Sequence, residues 1–245
     1  MNSWMASCLA NHEDCRQTIS ELIIDEASKP PLPTRAIRID YEDDDVRLRL
    51  VETKGHRDNY IALSHCWGDT THYPPLKTKT SSLQAHLINI PWEQVPKTFQ
   101  DAVAITRALG LRYLWIDSLC IIQDDLNDWH RESAVMGLIY ERARLTIAAC
   151  YARNSSEGCF SQREALSPPV EIPHINASGF RQGSVFLTVL PSDQEEVGEN
   201  LNPLDTRAWT TQEWLLSRRM ILCLKECLVW SCKTITQVET GRSVS

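Results

Sequence analysis

The sequence lacks the marks of several large function classes. No apolar run approaches the ~20 residues needed to cross a bilayer, so no membrane span is expected. The first residues, MNSWMASCLANHEDC, have no basic region ahead of an apolar core and do not form a secretory signal. Neither a GxGxxG nor a GxxxxGK(S/T) phosphate loop is present, which argues against a conventional dinucleotide fold or a P-loop enzyme. A GxSxG nucleophile elbow is also missing. There is no internal repeat and no low-complexity tract. Concentrated positive charge is lacking too. The formal net charge is −7, and the basic residues are scattered among acids, with Arg218–Arg219 one of the few adjacent pairs. Neutralising a phosphate backbone needs a basic surface, so no DNA or RNA partner is expected. The nine cysteines are odd in number and irregularly spaced. That disfavours a disulfide framework and points to reduced thiols in the cytoplasm.

What is present reads as an α/β chain. Residues 1–30 carry Trp4, Cys8, Cys15, Ile19, Leu22 and Ile23 at helical spacing, and Pro30, Pro31 and Pro33 then break the chain. Residues 32–40 read as extended, and VRLRLVET (46–53) alternates as a half-exposed strand does. Three short apolar runs read as buried strands: YIAL (60–63), RYLWIDSLCII (112–122) and LTIAAC (145–150). Between them lie a short helix over 80–88, a clear helix over 98–110 stopped by Gly110, and a helix after Asp128, its expected cap. Trp129, Ser133, Met136 and Tyr140 share a face of that last helix. This order predicts a parallel sheet flanked by helices. Residues 151–205 read as a strand-containing insertion, with SVFLTVL (184–190) as its clear strand. A helix over 207–217, a hairpin over 220–232 and a frayed tail complete the chain. The expected division is an N-terminal helical segment (1–31), a main domain (32–232) and a tail (233–245).

In a parallel sheet, ligands bind beyond the carboxyl ends of the strands. Ser64, His65, Cys66, Trp67 and Gly68 follow the first buried strand, and Asp117, Ser118, Cys120 and Gln123 follow the second. The 207–217 helix brings Trp209, Gln212 and Glu213, with Trp209 and Glu213 four residues apart on one face. An indole beside a carboxylate desolvates it and raises its pKa. The plainer alternatives are an ordinary amphipathic helix for Glu213 and a turn cap for Asp117. Ser64–His65 is a poor nucleophile–base pair, because adjacent strand residues point to opposite faces. Cys66 and Cys120 are either reactive or buried structural thiols. Cys8, His12 and Cys15, at spacings of four and three, fall on one face of the expected helix. A structural zinc site needs four ligands. The fourth would have to come from afar, with Cys150 and Cys159 as the candidates, so a buried helix face is the simpler reading and no metal is expected.

Four stretches carry a resemblance: YIALSHCWG (60–68), VPKTFQDAVAITRALGLRYLWIDSLCIIQDD (95–125), DWHRESAVMGLIYERARLTIAA (128–149) and RAWTTQEWLLSRR (207–219). Together they closely resemble the fungal heterokaryon-incompatibility (HET) domain, from about Leu32 to Cys232. The upstream Cys8, His12 and Cys15 also resemble what often precedes such domains. The resemblance implies a cytosolic domain that triggers growth arrest or cell death when genetically different hyphae fuse, with innate-immunity-like roles among relatives. It also implies a distant kinship with Toll/interleukin-1 receptor (TIR) domains, and hence a flavodoxin-like sheet. TIR enzymes carry a Trp and, four residues later, a catalytic Glu, the spacing of Trp209 and Glu213. On that analogy Glu213 is the catalytic carboxylate, and Glu132 is the runner-up. NAD is then a substrate rather than a tightly bound cofactor. Its binding groups are Ser64, Trp67, Gly68, Asp117, Arg207, Trp209 and Gln212, with Trp67 or Trp209 stacking on a base and Arg207 meeting a phosphate. Two classes stay open: an NAD-cleaving enzyme and a non-catalytic, self-associating death-signalling module. Expected partners are NAD or a related nucleotide, a second copy of the chain, and an incompatibility partner protein whose identity the sequence does not carry.

Overall fold

The computed structural model describes residues 1–18, 28–42, 45–72, 74–162, 170–175, 178, 180–187, 202–207, 210–239 and 243–244. The chain falls into two compact units. The larger comprises Met1–Ser161 and Asn202–Ser245, and the smaller Gln162–Leu201. The strands are β1 (Arg35–Glu42), β2 (Asp45–Glu52), β3 (Ile61–Ser64), β4 (Tyr113–Ile116), β5 (Leu145–Ala148), β6 (Val170–Ile175), β7 (Arg181–Leu187), β8 (Arg219–Cys223), β9 (Leu228–Cys232), β10 (Thr236–Val238) and β11 (Ser243–Val244). The α-helices are α1 (Asn2–Asn11), α2 (Leu83–Ile88), α3 (Lys97–Ala108), α4 (Asp117–Cys120), α5 (Leu126–Arg142) and α6 (Thr210–Leu216).

Among the described residues of the larger unit, nine strands form one sheet, in the order β11-β10-β9-β8-β5-β3-β4-β1-β2. The middle four, β4-β3-β5-β8, run parallel. Read in chain order, these four lie 2-1-3-4, the arrangement of a doubly wound sheet, which leaves a crevice where the order reverses. Strands β3, β5 and β8 are buried along their whole length. Parallel strands covered on both faces need mostly apolar side chains in both directions, hence the largely apolar runs IALS, LTIA and MILC. The flanks are antiparallel. β1 and β2 pair as a hairpin, and in β2 Leu48 and Leu50 turn inward while Asp45 and Arg47 stay exposed. On the other side β8, β9, β10 and β11 continue the sheet.

The α/β class and the parallel core agree with the sequence reading, and several boundaries move. The first helix stops at Asn11, and His12 turns away in extended conformation (φ −106°). Cys15 then sits on a separate 3-10 turn, Asp14–Arg16, so Cys8, His12 and Cys15 do not share a helical face. Residues 19–27 lie outside the described residues. The second buried strand is only four residues long, because Asp117 opens α4. Asp125, not Asp128, caps α5, accepting from the backbone N–H groups of Asn127 and Asp128. The tail is not frayed throughout, since β10 and β11 extend the sheet. In the smaller unit β6 and β7 pair as an antiparallel hairpin. Residues 188–190 of its expected strand lie outside the described residues. Among the described residues no helix is long and apolar enough to cross a membrane.

Candidate functional site

Ser64 is the last residue of β3, and Asp117 directly follows the last residue of β4. These strands are parallel neighbours, so both polar groups emerge at the same edge of the sheet. Helix α6 contributes Glu213 to that edge. The Ser64 hydroxyl donates to Glu213 Oε2 across 149 residues of chain. The Tyr140 hydroxyl, from α5, also hydrogen-bonds Glu213. Glu213 is 3% exposed. Burial pushes its carboxyl above the ordinary range, and the charge of Asp117 adds to this, while Ser64, Arg207 and Tyr140 pull partly back.

A cavity of about 180 Å³ lies against these groups, lined among others by Trp67, Asp117, Met136, Arg207 and Glu213. Trp67 Nε1 donates to Asp117 Oδ2 at 3.0 Å, which fixes the indole on the cavity wall. Arg207 donates to the carbonyl of His65, and its other terminal nitrogen lies 3.9 Å from Asp117 Oδ2. The α5 face read from the sequence forms the far wall through Trp129, Ser133 and Met136. Such a pocket, mostly apolar with a few convergent polar groups, suits a small flat ligand or part of a larger one.

Five of the polar and aromatic residues singled out at the strand ends and on the last helix therefore line one cavity: Trp67, Asp117, Gln123, Arg207 and Glu213. Ser64 joins them through Glu213. Gly68 stands beside the cavity with a different task. Its φ is +71°, and a Cβ there would lie 2.5 Å from Asn154 Cβ and 2.8 Å from the Arg153 carbonyl oxygen. Glycine lets the strand loop pass that neighbour in a left-handed conformation. Gln212 faces Gly137 of α5, its amide nitrogen 2.9 Å from where a Cβ on that glycine would sit. Trp209 lies outside the described residues. Glu132 is buried away from the cavity lining, beside Arg35 and Arg131. Tyr140 escaped the site reading. Its place on the Trp129–Ser133–Met136 face was the available signal, but a helix face does not say which carboxylate it will meet.

Cys66 and Cys120 are buried, and burial pushes their thiols up to about 11 and about 12, so neither is a thiolate at neutral pH. His65 is 2% exposed and packs edge-on against Phe99 at 4.9 Å between ring centroids. Burial lowers its pKa to about 4 from 6.5. It is neutral at physiological pH and acts by packing. A histidine depressed in the folded state contributes stability that is fully present above pH 6.5. That stability drains away as pH falls through about 4, because the unfolded chain takes a proton that the native one refuses. The loss is on the order of 3 kcal/mol over that interval. Urea denaturation of wild type and His65→Phe at pH 7 and pH 4.5 is expected to show a steeper acid loss for the wild type.

Searches of curated proteins and of solved structures find no match to the chain. The family model described as "Heterokaryon incompatibility protein (HET)" matches residues 60–213, more than half of the chain. That span begins just before β3 and ends on Glu213, so it takes in the cavity wall from Trp67 to Glu213. The chain belongs to the heterokaryon incompatibility (HET) family, which ties it to a role in heterokaryon incompatibility and the associated cell death.

Proposed function

We propose that the cavity is a hydrolytic site that cleaves the nicotinamide–ribose bond of NAD, with Glu213 as the catalytic carboxylate. The observation that carries this reading is the buried Ser64–Glu213 pair on the wall of a cavity shared with Trp67, Asp117 and Arg207. Nicotinamide in NAD is already cationic at its ring nitrogen. When the C–N bond breaks, the electron pair leaves with the ring, nicotinamide departs neutral, and positive charge develops on the ribose. A carboxylate beside the ribose stabilises that charge in a site where water cannot screen it. Water then adds to the ribose carbon, and Glu213, with its raised proton affinity, takes the released proton. Trp67 offers a flat face for stacking, and Arg207 a cation for a phosphate. A cavity of about 180 Å³ has room for one ring of the dinucleotide, so the remainder would lie outside it. The doubly wound strand order supports kinship with TIR-type folds, whose enzymes perform this chemistry. The test is nicotinamide release from NAD by the full chain beside Glu213→Gln. Absence of release from a folded, assembled wild type would overturn the reading.

A second reading, a death-signalling module that acts by self-association, is favoured by a separate observation. Leu126, Val135 and Leu138 of α5 and Trp214 and Leu215 of α6 are exposed. The two helices pack closely at Gly137, where Leu216 and Gln212 approach. Exposed apolar surface of this kind is a candidate association face, and its occupant on this reading is a second copy of the chain. Sedimentation velocity is expected to show concentration-dependent assembly that Leu138→Glu combined with Leu215→Glu abolishes. A wild type that stays monomeric at every concentration would dismiss this reading.

A further inference from the structure

Far from the cavity in sequence and in function, the fold gathers four side chains that the sequence scatters. Cys8 ends on the buried side of α1, His12 is the residue at which the helix terminates, and Cys15 sits on the following 3-10 turn. The fourth, Cys232, is the last residue of β9. Their Sγ atoms and one imidazole nitrogen all lie within 4.8 Å of one another. His12 Nδ1 is 3.4 Å from Cys232 Sγ. Four donors around one zinc, with Zn–S about 2.3 Å and Zn–N about 2.0 Å, stand roughly 3.5–3.8 Å apart. The cluster is within a small side-chain adjustment of that tetrahedron. Cys150 and Cys159, the distant partners considered from the sequence, lie elsewhere. Cys150 packs with Cys66 and Leu222, and the Cys159 thiol meets the Thr98 carbonyl.

We propose that Cys8, His12, Cys15 and Cys232 form a structural site for zinc or a like tetrahedral divalent ion. The donor set is Cys3His, one of the combinations zinc favours, and it supplies four ligands with no position left open. The surroundings fit a charged centre. Three thiolates exceed the two positive charges of the ion by one. The buried Arg219 offsets that excess, donating from Nε to Cys8 Sγ at 3.2 Å and from a terminal nitrogen to the Cys15 carbonyl at 3.2 Å. Cys232 Sγ receives the backbone N–H groups of Thr234 and Ile235, and the Thr234 hydroxyl lies 3.7 Å from Cys15 Sγ. Groups of this kind around metal ligands orient them and favour the thiolate. A disulfide would use two of the three sulfurs and leave the third thiol, the imidazole and the guanidinium without a shared purpose.

The architectural consequence is specific. His12 and Cys232 are 220 residues apart, so the ion would tie α1 to the antiparallel flank of the sheet, beside the Trp4–Trp230 ring contact at 6.4 Å. Closing so long a loop removes much conformational freedom from the unfolded chain, and the free energy of metal binding becomes folding free energy.

The experiment uses the full chain, purified under reducing conditions without chelator. Elemental analysis is expected to find about one zinc per chain. Exchange into cobalt(II) is expected to produce thiolate-to-cobalt charge-transfer absorption and the intense visible bands of a tetrahedral site. Cys232→Ser should weaken cobalt binding by about a hundredfold or more, whereas Cys227→Ser, on the β8–β9 turn, should leave it unchanged. Should Cys232→Ser fail to fold, the wild type alone decides. Alkylation mapped by mass spectrometry is expected to reach Cys8, Cys15 and Cys232 after chelation and not before. Folded, reduced protein that takes up neither metal would overturn the proposal. So would a cobalt spectrum without thiolate bands, or an intact mass two hydrogens lighter that reveals a disulfide within the cluster. None of these readouts depends on NAD cleavage.

Discussion

Replacing Glu213 with glutamine is expected to cut nicotinamide release from NAD by about a hundredfold or more, while leaving the thermal midpoint unchanged or raised. The two halves of that expectation have one cause. Glu213 is buried, and burial raises its pKa. A carboxylate whose folded pKa lies above its unfolded value adds stability below the unfolded pKa. That stability is lost as pH rises through the folded pKa. At neutral pH the ionised group is therefore a cost to the fold, which the neutral amide removes while keeping the shape and a hydrogen-bond acceptor for Ser64. Sites that hold charge against the preference of the fold are where stability and function trade off. The pH profile follows with the same sign. The charged form does the work, so activity should fall on the acid side at a higher pH than an ordinary glutamate would give. Nicotinamide release measured across pH, with calorimetry on both proteins, checks both halves. A glutamine variant that loses stability instead would mark Glu213 as a structural residue.

Arg35→Ala is expected to act oppositely, destabilising the protein by about 3–5 kcal/mol in chemical denaturation. Arg35 opens β1 and is buried. Its Nε donates to the Cys120 carbonyl at 2.7 Å, one terminal nitrogen meets Asp128, and that nitrogen lies 3.8 Å from Glu132 Oε1. Asp128 also accepts the Ile122 N–H at 2.8 Å. Burial pushes the Asp128 carboxyl up, but Arg35, the Ile122 amide and Arg131 together hold it below the ordinary range. Asp128 therefore stabilises the fold above its unfolded pKa of 3.8, and that contribution is lost as pH falls through the lower folded value. Without the guanidinium, Asp128 and Glu132 remain buried with Arg131, whose side chain is 58% exposed, as their remaining cation here. The deficit should narrow in acid, where the stranded Asp128 carboxylate protonates. A deficit that is small, or constant with pH, would show that the cluster contributes little. Because Arg35 ties β1 to α4 and α5, its loss should also loosen the cavity wall formed by Trp129, Ser133 and Met136.

Glu132 and Glu213 look alike in sequence: each follows a tryptophan by three or four residues. Their difference lies in which charges the fold brings to them. Glu132 meets Arg35, some hundred positions earlier in the chain. Glu213 meets Ser64, and Arg207 reaches the same pocket. No local period encodes such meetings.

By itself, the sequence determined the periodic and compositional features. The apolar runs at 60–63, 112–122 and 145–150 read as buried strands, and the helix at 98–110 and the one after Asp128 announce themselves by a 3.6-residue period, though the structure trims the second strand to 113–116 and starts the last helix at 126. The family membership was legible because its long motifs are contiguous. Boundaries and tails were less so. The hydrogen bonds that cap α5 at Asp125 or pair β10 with β9 depend on neighbours as well as on composition. The tertiary structure alone decided the rest. It stacked the strands in the order β4-β3-β5-β8 and so set Ser64 and Asp117 side by side. It packed α5 against α6 at Gly137, and it carried Cys232 across 220 residues to His12. The physical reason is common to all three. Periodicity reports which face of an element is buried, through local geometry. Charge pairs, cavities and ligand clusters are contacts between elements, and they exist only once long loops have closed.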